Sequence, residues 1–265
     1  MNVQQTQISA ADTLSRREAG SGWHAQIPDD KAMLRAARDL TKDISAHRAD
    51  IYWADMIASA LVGYGALAGA ILTGSLPLAI ALGVVSVLAL YRALLFIHEI
   101  SHFRNGALPG FRTAWNALVG VPMLTPSFMY EGVHTLHHKR TQYGTIEDPE
   151  YLPLALMKPW SLPAFVLIAL LAPVALLLRF AVLVPLGAIV PPVRRLTWQR
   201  LSALAINPDF RRRNPEGDLR RRVLLQEAGG MLWSWALIGS VFAFGWKPLL
   251  VALTVASVVA LLNQL

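Results

Sequence analysis

Long apolar runs alternate with short polar stretches along this chain. Residues 56–73 and 77–97 are each long enough to cross the hydrocarbon core of a bilayer, and a short Gly-Ser turn separates them. Residues 228–244 and 248–265 form a second pair of this kind. The pattern therefore predicts an all-α integral membrane protein with about four transmembrane helices in two hairpins.

Two other apolar stretches do not fit a simple span. Residues 111–130 contain two prolines and connect two clusters of polar residues, which favours a re-entrant or interfacial segment. Residues 160–190 are too long for one span and too short for two. We expect Pro173 and Arg179 to break this stretch into a shallow hairpin.

The second predicted helix continues beyond the membrane. Arg92, Glu99 and His102 are too polar for hydrocarbon, yet no helix-breaking residue occurs before Asn105. At a rise of 1.5 Å per residue, the stretch from Arg92 to His102 extends about 15 Å past the membrane surface. We therefore expect a cytoplasmic cap that carries histidines.

The first 50 residues are polar and mixed in charge, and they lack the regions of a cleavable signal sequence. Residues 28–49 are predicted to form a helix. We therefore divide the chain into a cytoplasmic N-terminal segment, 1–50, and a membrane domain, 51–265.

Composition and charge agree with a membrane protein. The chain is 54% hydrophobic and 15% charged, and it has no cysteine, which excludes disulfides, Fe–S clusters and thiol nucleophiles. The net charge of +7 arises mainly from residues 194–222, which contain nine arginines and three acidic residues. A basic loop between apolar runs is typical of the cytoplasmic side, so we expect anionic membrane lipids, and not nucleic acid, as partners.

Five of the seven histidines fall into two groups with the spacing of metal ligands. His98 and His102 are four residues apart and lie on one face of a helix. His134 precedes His137 by three residues and His138 by four, so it stacks with both on a helix, while the adjacent pair diverges by about 100°. Packed histidines without a metal are the alternative, but clusters of ionisable groups near membrane depth are costly and usually functional. Imidazole suits Fe, Zn, Cu and Ni, so the ligand type does not choose the metal.

The order of these groups resembles a known family. HxxxH after a membrane hairpin, followed by HxxHH, is similar to the first two histidine boxes of the membrane fatty acid desaturase and hydroxylase superfamily, as are Tyr130 and residues 139–151 around the second box. The resemblance implies that two iron ions are bound and that they use O2 to remove hydrogen from unactivated C–H bonds. It implies iron ligands at five positions and no further catalytic side chain: His98, His102, His134, His137 and His138.

The sequence departs from the family at its C-terminal end. A third box, another HxxHH, is expected after the last span, and no histidine follows His138. We expect that a C-terminal segment is missing and that the chain without the third box is inactive. The alternative is a protein that has lost a working di-iron site. Asn263 lies where some family members place a polar residue near the metals.

Acidic residues near the histidines are candidate hydrogen-bond partners for metal-bound imidazoles. Each is otherwise a surface charge or a cap. The candidates are Glu99, Glu131, Glu147 and Asp148.

The resemblance implies an oxidoreductase that introduces a double bond into a fatty acyl chain, carried by a lipid, coenzyme A or a carrier protein. It also implies an electron-donor protein as a partner and histidine clusters that face the cytoplasm. Hydroxylation or ketolation of a lipid or carotenoid on the same scaffold is an alternative.

Residues His98 to His102 also satisfy the HExxH pattern of zinc proteases, in which Glu99 would activate water. That alternative gives the second histidine group no role and lacks a clear third zinc ligand. A metal transporter is a further alternative, but the predicted spans lack the polar residues that line an ion path.

Overall fold

The computed structural model describes residues 31–42, 47–103, 106–153 and 156–264, and every regular element in these ranges is helical. The helices are α1 (Lys31–Leu40), α2 (Ala49–Leu72), α3 (Leu76–His102), α4 (Phe111–Trp115), α5 (His134–His137), α6 (Ser161–Leu178), α7 (Val184–Ile189), α8 (Pro191–Arg200), α9 (Gly217–Phe244) and α10 (Trp246–Gln264). Within these ranges, four helices are long and apolar enough to cross a membrane: α2, α3, the continuous helix Ser161–Ile189, and α10. The prediction of an all-α protein with four such helices is confirmed.

The chain divides into two units, Met1–His47 and Arg48–Leu265. In the first unit, α1 ends at Leu40 and a turn follows at Thr41. The predicted helix over 28–49 is therefore wrong at its C-terminal end. Its predicted start and residues 43–46 lie outside the described residues.

The first predicted hairpin is formed by α2 and α3. Their backbones approach closely, since a Cβ atom on Gly63 would lie 2.6 Å from Cγ of Leu90. Asp55 of α2 pairs with Arg92 of α3. α2 begins at Ala49, seven residues before the predicted start of its apolar run at Met56. As predicted, α3 continues without a break to His102.

The prediction that 160–190 breaks into a shallow hairpin is wrong. Ser161–Ile189 is a single helix, roughly 44 Å long at 1.5 Å per residue. Pro173 lies inside it, and the π-helical turn Arg179–Leu183 joins α6 to α7. Arg179 does not end the helix because its guanidinium donates to the Glu227 carboxylate of α9, with a distance of 2.7 Å between Nη2 and Oε1.

The second hairpin differs in part from its prediction. α9 and α10 are consecutive helices that pack against each other across Gly245, which has a φ of 73°. The predicted span 228–244 is the second half of α9, which begins within the arginine-rich stretch. α9 is not among the four span-length apolar helices, because polar residues occupy its first half.

The segment between α3 and α5 lies against both buried clusters of the second unit. Trp115 and Phe111 pack with Leu90 of α3 in one cluster, and Phe128 packs with Phe180 in the other. The indole of Trp115 donates to the carbonyl oxygen of Ala93 across 2.8 Å. As predicted, residues 111–130 contain no helix of span length. They bring the chain from the end of α3 to the second histidine group.

Candidate metal centre

The first histidine pair occupies the last turns of α3. His98 and His102 are separated by one helical turn, and their ring centroids lie 4.7 Å apart. The side chain of His98 is 46% exposed. The pair therefore projects from the end of a span-length helix, where a ligand can reach it.

The second histidine group lies on and next to α5, which has only one turn. His134 is buried, and its Nε2 atom is 2.8 Å from Nε2 of His138. The same Nε2 atom is 3.0 Å from Nε2 of His102 on α3. The two sequence-distant groups therefore meet at His134.

Four imidazoles form a group that can hold a metal ion. One nitrogen from each of His98, His102, His134 and His138 lies within 4.8 Å of all the others. Nitrogen ligands that share one metal at about 2.1 Å lie about 3.0–3.4 Å apart, by the geometry of octahedral or tetrahedral coordination. The Nε2 separations at His134 are close to this range, so the donor set fits a metal that prefers imidazole.

His134 is held in an orientation that directs Nε2 into the group. Its Nδ1 atom is 2.9 Å from Oε1 of Glu150 and 2.8 Å from the hydroxyl of Tyr130. Burial lowers the pKa of His134, which favours the neutral ring that a metal requires. Burial also raises the pKa of Tyr130, so this side chain keeps its hydroxyl proton.

His137 lies beside the group with a partner of its own. Its Nδ1 atom is 3.0 and 3.1 Å from the two carboxylate oxygens of Asp148. Asp148 is fully buried and accepts the N–H groups of Gly144 and Glu150, each at 2.9 Å. Burial alone would raise the pKa of Asp148, but these hydrogen bonds and His137 lower it overall, so the group is a carboxylate. His137 is therefore oriented as metal-bound histidines usually are, with a carboxylate behind the ring.

The other acidic candidates have different partners. Glu99 accepts the Tyr52 hydroxyl at 3.0 Å and lies 3.5 Å from Nδ1 of His98. Glu147 accepts from Gln142 at the surface. Asn263 is an exposed residue of α10, and its place near the metals stays a prediction.

Glu131 joins two arginines and does not contact an imidazole in the part of the chain that is described. Its Oε1 atom accepts from Arg112 at 3.0 Å and from Arg222 at 2.8 Å. Arg112 also donates to the carbonyl oxygen of Ile100, between the two histidines of α3. Glu131 therefore links the backbone of the first histidine group to that of the second.

Sequence reasoning missed Glu150 as a partner of the histidines. Glu150 lies two residues after Asp148, in the turns that follow the second group. Two carboxylates separated by one residue in a turn were a signal that could have indicated both as partners of the histidines, because a turn can bring both toward one site. Tyr130 was noted only as a point of resemblance, although it precedes His134 by four residues and stacks on its ring, with 4.8 Å between the ring centroids.

Comparison with known proteins gives a match to a family model and a match to a named protein. The family model described as "Fatty acid desaturase" matches residues 73–265. A protein named ceramide hydroxylase from Caulobacter vibrioides (strain NA1000 / CB15N) is 46% identical over 243 residues, which cover 91% of this chain and 69% of that protein. No solved structure gives a significant match.

Proposed function

Because this chain belongs to the fatty acid desaturase family, we propose that it is a membrane-bound, O2-dependent hydroxylase that acts on a C–H bond of a ceramide-type lipid. The observation that carries the proposal is the group His98, His102, His134 and His138, whose nitrogens lie within 4.8 Å of one another. These residues, with His137 beside them, would hold iron. Iron bound there would supply the O2 activation that protein side chains cannot provide.

Hydroxylation, the alternative in the sequence analysis, fits the comparisons at least as well as the desaturation predicted from the sequence. The family alone is compatible with both outcomes, but the relative that covers most of this chain is named a hydroxylase of ceramide. Desaturation of a fatty acyl chain therefore stays a prediction, and we treat it as an outcome of the test below.

The position of the histidines suits a lipid substrate. α3 is apolar over most of its length and carries His98 and His102 at its end. A lipid whose reactive carbon lies near its polar end could reach this position with its remaining chain still in hydrocarbon. A ceramide meets this condition, because its hydroxyl and amide groups lie where its two chains begin.

The chain's own residues have two roles in this proposal. The imidazoles bind the metal through the nitrogens that face the group, and Asp148 and Glu150 fix the rings of His137 and His134 from behind. Hydroxylation inserts one oxygen atom of O2 into the C–H bond and releases the other as water, so an external redox protein must supply two electrons and solvent two protons. That donor, the second iron and the cytoplasmic side of the site remain predictions from the family resemblance.

The zinc-protease alternative is not favoured. It gave the second histidine group no role, whereas His134 and His138 lie in the same group as His98 and His102. Glu99, its proposed base, accepts a hydrogen bond from Tyr52.

The test is product analysis in cells that produce the full-length protein and are supplied with ceramide and isotopically labelled O2. We expect a ceramide with one added oxygen atom that carries the label, and no product from His102→Ala. His47→Ala, which removes a histidine outside both groups, is the control and should retain activity. A product that has lost two hydrogens without gaining oxygen would identify a desaturase, and unchanged activity in His102→Ala would overturn the assignment of the site.

A further inference from the structure

The stretch that runs from the last residues of α8 toward α9 touches the chain on both sides of the second histidine group. We call residues 199–212 the strap. Its ends are joined, because the N–H of Arg212 donates to the carbonyl oxygen of Gln199 at 2.9 Å. The strap is therefore a closed loop of backbone and not an extended basic tail.

Arg212 connects the strap to the residues just before His134. Its Nη1 atom donates to the carbonyl oxygen of Phe128 at 2.6 Å and to that of Ser202 at 2.7 Å, while its Nη2 atom donates to that of Glu131 at 2.8 Å. One guanidinium thus fixes two carbonyls that flank the turn leading into α5. A single ammonium group could not make this forked contact.

A backbone contact strengthens the same junction. The N–H of Leu204 donates to the carbonyl oxygen of Met129 at 2.9 Å, between the two carbonyls that Arg212 binds. Burial lowers the pKa of Arg212 to about 10, which leaves the guanidinium charged near neutral pH.

Asn207 connects the other part of the strap to the turn that carries Asp148. Its side-chain nitrogen donates to the carbonyl oxygens of Ile146 at 2.8 Å and Asp148 at 3.0 Å. The N–H groups of Ile206 and Asn207 both donate to the carbonyl oxygen of Pro149, at 2.9 and 3.0 Å. The strap therefore holds the backbone of the residue whose carboxylate orients His137.

We propose that Arg212 and Asn207 are positioning residues of the metal centre, which set the backbone on both sides of α5 so that its histidines and their carboxylate partners are in place before a metal binds. The inference rests on the proposed function, because it takes the histidine group to be a metal site. Within the basic stretch 194–222, Arg212 binds the backbone beside the site. The neighbouring Arg211 and Arg213 are exposed.

The test measures metal affinity and not catalysis. Purified full-length protein in detergent is titrated with Co²⁺, whose visible absorption bands report the geometry of its ligands. The variants are Arg212→Gln, Arg212→Lys and Asn207→Asp. Asn207→Asp keeps the shape of the side chain but removes its two N–H donors. Arg213→Gln changes the charge by the same amount at the neighbouring exposed position and is the control.

We expect the three variants to bind Co²⁺ about tenfold or more weakly than the wild type and with shifted bands, the effect of losing partners outside the ligand set. Their helical content by circular dichroism should equal that of Arg213→Gln, which should bind as the wild type does. Wild-type affinity and spectrum in Arg212→Gln and Asn207→Asp would overturn the inference. A loss of Co²⁺ binding matched by an equal loss of helical content in all three variants would also overturn it, because the strap would then act on folding alone.

The two proposals fail in different ways. If the wild-type protein bound no Co²⁺, the metal centre and with it the proposed function would be wrong. If the wild type bound Co²⁺ and the variants were indistinguishable from it, only the role of the strap would be wrong.

Discussion

Glu227 is a buried charge whose removal should destabilise the membrane unit strongly. Its side chain is 1% exposed and accepts from Arg179 at 2.7 Å, from Arg194 at 2.8 Å and from the indole of Trp198 at 3.2 Å. Arg179 is 3% exposed and its Nη1 atom has no hydrogen-bond partner among the described residues. Glu227→Met would therefore leave a buried guanidinium without its counter-ion.

The expected loss of unfolding free energy depends on the contacts that Arg179 would retain in Glu227→Met. Breaking a buried ion pair from one side costs about 3–5 kcal/mol. Arg179 would retain its bond to the Leu201 carbonyl oxygen and its position 4.5 Å from the centre of the Phe180 ring. Arg194 is 21% exposed and can turn toward solvent. We therefore expect the lower part of the range, about 3 kcal/mol, for Glu227→Met.

A double-mutant cycle isolates the pair. Arg179→Met combined with Glu227→Met removes both buried charges, so its cost should fall short of the summed single costs by about 2 kcal/mol. The free energy of unfolding can be measured by titration with sodium dodecyl sulfate in mixed micelles, followed by tryptophan fluorescence.

Arg48→Met is the control. Arg48 and Asp50 form a pair of similar length, 2.7 Å, but both side chains are more than half exposed. Arg48→Met should therefore have no measurable effect on the free energy of unfolding. A Glu227→Met value indistinguishable from that control would refute the reasoning.

Two further predictions concern packing and the metal centre. Gly230→Ala should destabilise the protein by about 1–3 kcal/mol in the same titration, because the new Cβ would lie 2.6 Å from Cδ1 of the fully buried Phe180. Gly239→Ala, in the same helix with no atom within 4 Å of its Cβ, should be neutral or stabilising, and equal effects at the two positions would contradict the packing argument. Asp148→Asn should weaken Co²⁺ binding about 10–100-fold through the loss of the carboxylate behind His137. Glu147→Gln, one residue earlier and exposed, should bind Co²⁺ as the wild type does, and a matching loss there would show that overall charge is responsible.

The sequence was a good guide wherever the relevant signal was local. The spacing of four residues placed His98 and His102 on one face, and the absence of a breaker predicted that α3 would run to His102; both agree with the structure. Apolar run length likewise predicted the hairpin of α2 and α3. These features depend on helix periodicity and on bilayer thickness, which the sequence expresses directly.

Local signals failed where a distant residue supplied the partner. Arg179 was expected to break its apolar stretch because a lone charge is costly in an apolar helix, but Glu227, 48 residues away, neutralises it. Glu131 was one of four candidate partners for a metal-bound imidazole, and its Oε1 atom accepts hydrogen bonds from the distant Arg112 and Arg222. In both cases the sequence showed that a charged residue needs a partner. It could not show which residue is that partner, because the partner is distant along the chain.

The metal centre depends both on local histidine spacing and on contacts from distant residues. α5 has a single turn, which is too short to be stable by its own hydrogen bonds. Its histidine spacing could therefore indicate the ligands, but nothing within α5 could fix where their nitrogens point. The contacts of Arg212 to Phe128 and Glu131, and of Asn207 to Ile146 and Asp148, come from residues 59 or more positions along the chain. The part of the site that stands on this single helical turn thus requires long-range support for its geometry. We therefore expect the metal affinity of the histidine group to change when either Arg212 or Asn207 is changed.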